Sequence, residues 1–385
     1  MQATQISYMA KVIVFPAIST RTFTNLLVVI ETEKNQHVFT TREPIGVCGQ
    51  IIPWNYPLSM AAWKLGPAIA AGNCVVIKAA EQTPLSILYL ATLFKEAGYP
   101  KGVVNVINGY GRDAGAALAS HMDVDKIAFT GSTQTGREIM KLASGNLKSI
   151  TLETGGKSPL VVFEDADLDK AAYWGHFGIM LNAGQACTAN SRIFVHESIY
   201  DDFLRRFLEK AASAKVGDPF AADTFQGPQV SQAQRDRILH YVELGKSEGA
   251  TLALGGKVHE TAGNGKGYFV EPTVFTDVKD DMTIYREEIF GPVAAILSFK
   301  TEDEVVRRAN DTFFGLGAAL FTKDVARVHR ISRKIQSGTV WVNSSQNSDI
   351  RAPFGGFKQS GIGRECGQAG IEAYTNIKTV YITLD

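Results

Sequence analysis

From Pro44 onward the chain alternates short β-rich runs with amphipathic helical stretches, and that alternation restricts its fold more than any other feature. The runs are Gly46-Ile52, Cys74-Ile77, Val103-Ile107, Lys126-Thr130 and Ile150-Leu152; helices are predicted from Ser59, from Thr83-Pro84, near Asp113 and after Ser132. Thr83 reads as an N-cap, with Pro84 at the first helical position and Gly98 just past the end. After Gly156 a second series begins with Pro159-Phe163, a helix from about Asp167 to Leu181, and Ser191-Val195. Such alternation predicts right-handed βαβ units on parallel sheets. A chain of 385 residues is long enough for two such domains. The stretch from Gly255 to Gly267 reads as a Gly-rich surface loop.

Charge narrows the partners. Lys plus Arg number 39 and Asp plus Glu number 39, so there is no net field to attract nucleic acid or anionic lipid. A small molecule or a second copy of the chain is expected instead. Cys48, Cys74, Cys187 and Cys366 lie far apart and form no Cys-x-x-Cys or Cys/His cluster, which points to a reducing compartment, cytoplasm or mitochondrial matrix, and to no metal. The seven His are scattered, and His176 reads as a satisfied core or interface group. At the N-terminus, Pro16 and the polar segment Ser19 to Asn25 interrupt the apolar runs, leaving nothing long enough to span a bilayer. The stretch before Glu31 has no acid and is rich in Ser and Thr, but only Lys11 and Arg21 carry positive charge, so it reads as an atypical leader.

Two runs carry chemistry. Cys187, in Leu181-Asn182-Ala183-Gly184-Gln185-Ala186-Cys187-Thr188, offers a soft nucleophile; Glu153, in Leu152-Glu153-Thr154-Gly155-Gly156-Lys157, offers a carboxylate base. Glycines frame both, letting backbone come close to a ligand. Glu153 follows the apolar run Ser149-Leu152, a setting that partly buries a carboxylate and raises its pKa. Both runs resemble the active-site signatures of the aldehyde dehydrogenase superfamily. Further motifs follow in that family's order: Ile52-Pro53-Trp54-Asn55, Lys78-Ala79-Ala80-Glu81, Phe129-Thr130-Gly131-Ser132, Glu287-Glu288-Ile289-Phe290-Gly291-Pro292 and Pro353-Phe354-Gly355-Gly356-Phe357-Lys358. The matches run from about Glu31 to Asp385.

The resemblance implies a specific chemistry. Cys187 would attack an aldehyde to give a thiohemiacetal, hydride loss would leave a thioester, and Glu153 would activate water to hydrolyse it. Asn55 and the Cys187 backbone N–H match the oxyanion donors. Glu365 matches a second carboxylate that assists proton relay, and Lys64 its partner. Branches that pass the acyl group to coenzyme A typically lack the carboxylate at Glu153, so a free acid is the expected product.

The dinucleotide fingerprint is off the usual spacing. Gly109-Tyr110-Gly111-Arg112-Asp113-Ala114-Gly115 is Gly-x-Gly-x-x-x-Gly, one residue longer than the common form. Resemblance to the family explains the difference, because its dinucleotide binds in a variant mode. Ile51, Ile52, Pro53, Trp54, Gly111, Gly115, Phe129, Gly131 and Ser132 match its cofactor positions; Lys78 and Glu81 match the adenosine ribose, Glu288 and Phe290 the nicotinamide end. A carboxylate such as Glu81 accepts from ribose hydroxyls and repels a 2′-phosphate, which favours NAD over NADP.

Tyr56, Met60, Trp63, Leu181 and Phe354 match positions lining the family's substrate tunnel. The polar segment Ser344-Ser348 matches its mouth and leaves room for small or hydroxylated aldehydes. The implied architecture is aldehyde dehydrogenase-like, with two parallel-sheet α/β domains and a small oligomerisation strand. Residues 1–41 form a leader and residual ribbon, 42–155 the NAD-binding domain, 156–355 the catalytic domain, and 356–385 a C-terminal segment whose run Thr379-Leu384 is the oligomerisation strand. The family normally has about a hundred further residues ahead of Arg42-Glu43-Pro44, so the chain reads as N-terminally truncated. On that reading its solubility, oligomer and NAD affinity are weakened and the ribbon partner of Thr379-Leu384 is disturbed. A second reading is therefore a catalytically weak fragment with at most a structural or regulatory role. A third, a thiol hydrolase, needs Cys-His activation, and no His neighbours Cys187 in sequence.

Overall fold

A computed structural model describes residues 28–32, 35–260 and 262–384. Of the leader and residual ribbon assigned to residues 1–41, residues 1–27 lie outside the described residues. The chain divides into two compact units: the first runs through Glu153 and adds Ser348–Gly355 and the stretch from Gly361 onward, and the second comprises Thr154–Asn347 with Gly356–Ser360.

In the first unit the strands run in the order Gly361–Ile362, Ser149–Glu153, Lys126–Thr130, Val47–Ile51, Cys74–Lys78 and Val104–Ile107. All neighbours are parallel except the short Gly361–Ile362, which pairs antiparallel with Ser149–Glu153. Helices cover the sheet, so the central strand Lys126–Thr130 is buried along its whole length and does not alternate. The helix Pro57–Ala70 starts two residues before the predicted Ser59, because Pro57 is pre-set for the first helical turn. Thr83 is not an N-cap: the second helix is Leu85–Glu96, capped by Pro84 without a side-chain hydrogen bond. Beyond Tyr110 the Gly-rich run winds into a π-type turn, Gly111–Gly115, that leads into the short helix Ala116–Ser120.

The same unit holds a three-stranded antiparallel sheet of Val28–Ile30, Gln36–Pro44 and Thr375–Thr383. The C-terminal strand begins four residues before the predicted Thr379 and pairs continuously with Gln36–Pro44, from Thr375↔Pro44 to Thr383↔Gln36. The ribbon partner is thus intact, contrary to the expectation of a disturbed pairing. Gln36–Pro44 shows no alternation, being half-buried along most of its length, so its place in the sheet follows from pairing with Thr375–Thr383.

The second unit is built on a seven-stranded sheet in the order Thr251–Leu254, Thr273–Thr276, Val293–Phe299, Arg192–His196, Pro159–Val162, Gly317–Phe321 and Thr339–Val342. Only the edge strand Thr251–Leu254 is antiparallel. The helix Leu168–Met180 is capped by Asp167, whose carboxylate accepts from the Lys170 N–H at 3.2 Å, a contribution of about 1 kcal/mol. Arg192, fully buried at the head of its strand, donates to the carbonyls of Lys157 (2.9 Å), Arg308 (3.1 Å) and Ala309 (2.8 Å). The last two belong to the final turn of the helix Glu302–Asn310, so a buried cation meets the negative end of that helix, where the Arg308 carbonyl also accepts from the Asp311 N–H and the Tyr285 hydroxyl. The stretch from Gly255 is more than a surface loop, since Val258 bridges Val270 and Ala262 is buried. His176 is core, but its Nε2 has no hydrogen-bond partner, so packing against Phe225 and Phe207 holds it and burial lowers its pKa to about 4. Among the described residues no helix is long and apolar enough to cross a membrane.

Lys126 is an unusual core group. It is fully buried in the central strand, its ammonium has no hydrogen-bond partner, and it lies 5.0 Å from the centre of the Tyr374 ring. Burial, partly opposed by Cys48 and Glu365, pulls its pKa down to about 8. Between that value and the ordinary lysine value the unfolded chain binds more protons than the native one, so stability rises with pH across this window. We expect Lys126→Met to be more stable than the native chain at pH 7 by up to about 3 kcal/mol. That advantage should shrink as the pH is raised from about 8 to about 10.5, measured by denaturant unfolding of both proteins. A pH-independent difference would contradict it.

Candidate active site

The first unit gathers its candidate groups at one edge of its parallel sheet, the carboxyl edge where open α/β sheets bind ligands. Ile51 ends one strand, and Ile52, Pro53, Trp54 and Asn55 follow it. Lys78 ends the next; its buried ammonium donates to the Ala79 carbonyl at 2.9 Å and pairs with the half-exposed Glu81 at 3.4 Å. Gly111 and Gly115 follow the strand Val104–Ile107, and Gly115 lies beneath the Lys78 side chain. Phe129 is in the strand Lys126–Thr130, followed by Gly131 and by Ser132, which caps the helix Thr133–Ala143 by accepting from the Thr135 N–H at 3.2 Å.

Glu153 is the last residue of its strand, and its backbone carbonyl accepts from the Gly131 N–H at 3.1 Å. The carboxylate is buried, and its Oε2 has no hydrogen-bond partner. Nearby, Lys64 is wholly buried in the helix Pro57–Ala70, where it donates to Thr130 Oγ1 at 2.6 Å and forms an ion pair with Glu365. Glu365 is held by a two-way backbone bridge to Phe354, each N–H donating at 2.7 Å, and its own Oε2 is also unpartnered. Burial raises the Glu153 pKa well above the ordinary value and the Glu365 charge raises it further, with Lys64 and Arg364 opposing.

Of the residues matched to a substrate tunnel, Met60, Trp63 and Phe354 share one apolar cluster in this unit. Trp63 and Phe354 meet edge to face at 5.0 Å, and the Tyr56 carbonyl accepts from the Met60 N–H at 2.9 Å. Leu181 belongs to the second unit and opens the turn that leads to Cys187.

In the second unit, Gly155 and Gly156 are there for closeness. A Cβ on Gly155 would overlap the Glu288 carboxylate, and one on Gly156 would overlap the Cys187 carbonyl oxygen. The Gly156 N–H donates to Glu288 Oε1 at 3.0 Å. Burial lifts the Glu288 pKa to about 7 against the opposing pull of that N–H, Lys157 and Arg237. Lys157 is buried with its ammonium unpartnered, and burial together with Arg192 lowers its pKa to about 7.

Cys187 is half-buried and follows a strained approach. Asn182 (φ 53°) and Ala183 (φ 56°) are left-handed, as is Phe290 (φ 61°). Gly184 (φ 71°) abuts the Gly291 backbone so closely that no side chain fits. Left-handed non-glycine residues cost about 1 kcal/mol each or more and persist where surrounding contacts hold them. Here Gln185 supplies some, its amide donating to the Asn182 carbonyl at 3.0 Å and accepting from the Val230 N–H at 3.0 Å. Sequence reasoning missed Thr130 as the partner of Lys64 and Gln346 as the partner of Thr188, pairs separated by 66 and 158 positions. The polar segment read as a tunnel mouth turns its Ser345 and Gln346 inward, onto Asn190 and Thr188. Among the described residues no three His, Cys, Asp or Glu side chains cluster as metal ligands.

Comparison with known proteins now decides the family. The aldehyde dehydrogenase family model matches residues 1–380. The chain belongs to the aldehyde dehydrogenase family. The match includes the stretch before Glu31, which the sequence reading sets apart as an atypical leader. An aldehyde dehydrogenase of Emericella nidulans is 58% identical over 356 residues, covering 92% of this chain and 71% of that protein. The NAD+ complex of a Bacillus cereus aldehyde dehydrogenase superposes with a TM-score of 0.96 at 48% identity, covering 99% of this chain and 76% of that one. Betaine aldehyde dehydrogenase from Staphylococcus aureus in complex with NAD+ superposes with a TM-score of 0.97 at 39% identity, over 99% of this chain and 76% of that one.

The acidic pair in the first unit is open to test. Replacing Glu365 by Gln removes a negative neighbour and leaves Lys64 unopposed, and both changes favour ionised Glu153. In this variant the acid limb of the pH dependence of aldehyde oxidation should move to lower pH. An unmoved limb would show that Glu365 does not set the Glu153 titration.

Proposed function

We propose that this aldehyde dehydrogenase oxidises an aldehyde to a free carboxylic acid with NAD, Cys187 acting as nucleophile and Glu153 as the hydrolytic base. The observation that carries this reading is the buried carboxylate of Glu153 beside Glu365, one oxygen unpartnered, whose pKa burial and that neighbour raise well above the ordinary carboxyl value. Family membership supports the reaction type, and the NAD+ complexes of the Bacillus and Staphylococcus relatives support the cofactor.

The residues fit a dinucleotide. In the first unit a helix N-terminus at Ser132, a buried lysine at Lys78 and a half-exposed carboxylate at Glu81 stand at the carboxyl ends of neighbouring strands. Lys78 and Glu81 would hold the adenosine ribose, with Ile51, Ile52, Pro53, Trp54, Gly111, Gly115, Phe129 and Gly131 around the remainder. Glu288 and Phe290 would hold the nicotinamide end. The bound cofactor supplies the hydride acceptor.

Within the chain, the Cys187 sulfur adds to the aldehyde carbon, and the oxygen that gains charge is stabilised by the Asn55 amide and the Cys187 N–H. After hydride departs, the carbon is held as a thioester. Glu153 takes a proton from water, whose oxygen attacks the thioester carbon, the C–S bond breaks and the acid leaves. Lys64 and Glu365, joined as an ion pair, are placed to pass that proton onward. Deacylation is therefore faster at pH above the raised Glu153 pKa and fails below it.

Tyr56, Met60, Trp63, Leu181 and Phe354 are assigned to the substrate route; the first unit is assigned most of the cofactor residues together with Asn55, Lys64, Glu153 and Glu365, and the second unit Cys187 with Glu288 and Phe290. Cytoplasmic or mitochondrial location and assembly as a homo-oligomer are part of the same proposal; the exposed Ile377, Tyr381 and Ile382 on the ribbon suit self-association.

Two variants test the reaction. Cys187→Ser should abolish aldehyde oxidation while NAD binding is nearly unchanged, because a hydroxyl is a far poorer nucleophile. Glu153→Gln should still form the acyl-enzyme but hydrolyse it slowly, giving a burst of NADH before a depressed steady state. Turnover in the first variant, or equal loss of both phases in the second with no acyl-enzyme by mass spectrometry, would overturn the proposal.

A further inference from the structure

The second unit grips the residue that follows Cys187 from a distant segment. Gln346 adopts a left-handed backbone (φ 64°), which turns its side chain back onto Thr188. Its amide makes a reciprocal pair there: Nε2 donates to the Thr188 carbonyl at 3.0 Å, and the Thr188 hydroxyl donates to Oε1 at 2.5 Å. Behind this pair lie the fully buried Asn190 and Ser345, hydrogen-bonded to each other, and the Asn190 N–H donates to the Gly178 carbonyl at 3.0 Å. The clamp is therefore anchored to the helix Leu168–Met180 and to the core of its own unit.

What it grips is a tight turn. The Ala189 N–H donates to the Ala186 carbonyl at 3.1 Å, making Cys187 and Thr188 the two central residues. The flipped form of its central peptide would need a positive φ at the β-branched Thr188, which is not left-handed here, so the turn keeps one backbone form. The closing bond alone does not fix how that turn is seated. Gln346 fixes Thr188 on one side of that peptide, and Gly156 packs against the Cys187 carbonyl on the other.

We propose that Gln346 is a positioning residue for the nucleophile: by clamping Thr188 it seats the Ala186–Ala189 turn against the core of its unit and so aims Cys187. This rests on Cys187 being the nucleophile. The polar segment around Gln346 is then part of the catalytic scaffold of its unit as well as a candidate lining of the substrate route.

The test uses the full chain and two measurements: the rate of Cys187 carboxamidomethylation by iodoacetamide, read by peptide mass, and kcat and KM for an aldehyde. Gln346→Met, close in volume but unable to pair, should lower kcat and the alkylation rate about tenfold, with KM changed less than about threefold. Thr188→Val should do the same and Thr188→Ser should recover most of the alkylation rate. The double variant Gln346→Met/Thr188→Val should be no worse than the poorer single, because the two side chains act as one unit. A raised KM with unchanged kcat and alkylation would make Gln346 a lining residue and overturn the proposal, as would multiplicative losses in the double variant. If Gln346→Met does not fold, Thr188→Val against Thr188→Ser decides alone. Turnover in Cys187→Ser would instead defeat the nucleophile assignment, and the alkylation rates would still report on the clamp.

Discussion

A carboxylate taken out of water without a full set of partners is the constraint on which the first unit is arranged. Glu153 reaches that position because its strand is buried and ends where the sheet does. An isolated ionised carboxylate in such a place would be prohibitively costly, so the group holds its proton to higher pH or borrows compensation. Lys64 offers compensation but is already committed to Glu365 and Thr130. The outcome is two carboxylates near one ammonium that pairs with only one of them, each with an oxygen left unpartnered. That shortage of hydrogen bonds is a poor way to stabilise a core and suits the base proposed at Glu153.

The second unit solves a different problem, that of fixing Cys187, the proposed nucleophile, on a turn. Left-handed Asn182, Ala183 and Gly184 aim the chain, and the absence of side chains at Gly155 and Gly156 lets Glu288 and the Cys187 carbonyl come close. Contacts from far along the chain then hold what local preference would not. Gln185 ties the turn to Val230, and Gln346 ties it to the segment after the last strand of the sheet.

Much of this was legible before the structure. The parallel sheets follow from alternation: Lys126-Thr130 has the same bounds in sequence and structure, and the helix expected from about Asp167 begins at Leu168 with Asp167 as its cap. Cys187 and Glu153 stand out because the runs around them resemble the family's active-site signatures. What could not be read is what depends on pairing at a distance. Nothing local in Gln36–Pro44, with its Thr and charged residues, announces a strand matched to Thr375–Thr383. Thr83 had the composition of a cap, yet the helix begins beyond Pro84, whose fixed backbone angle already supplies the turn. The buried, unpartnered Lys126 lies in a run whose apolar neighbours suggested only a core strand, and Gln346 looked like part of a polar rim until its partner was seen.

The central claim is that Glu153 stays protonated well above the ordinary carboxyl range because it is buried beside another acid. Infrared difference titration of the intact protein measures this directly, taking the protonated-carboxyl band that disappears in Glu153→Gln as its signature. The account predicts that this band persists far above the ordinary glutamate value of about 4.3. A band already lost near that value would contradict it, since a carboxylate ionised so readily would not carry the electrostatic arrangement derived from its surroundings.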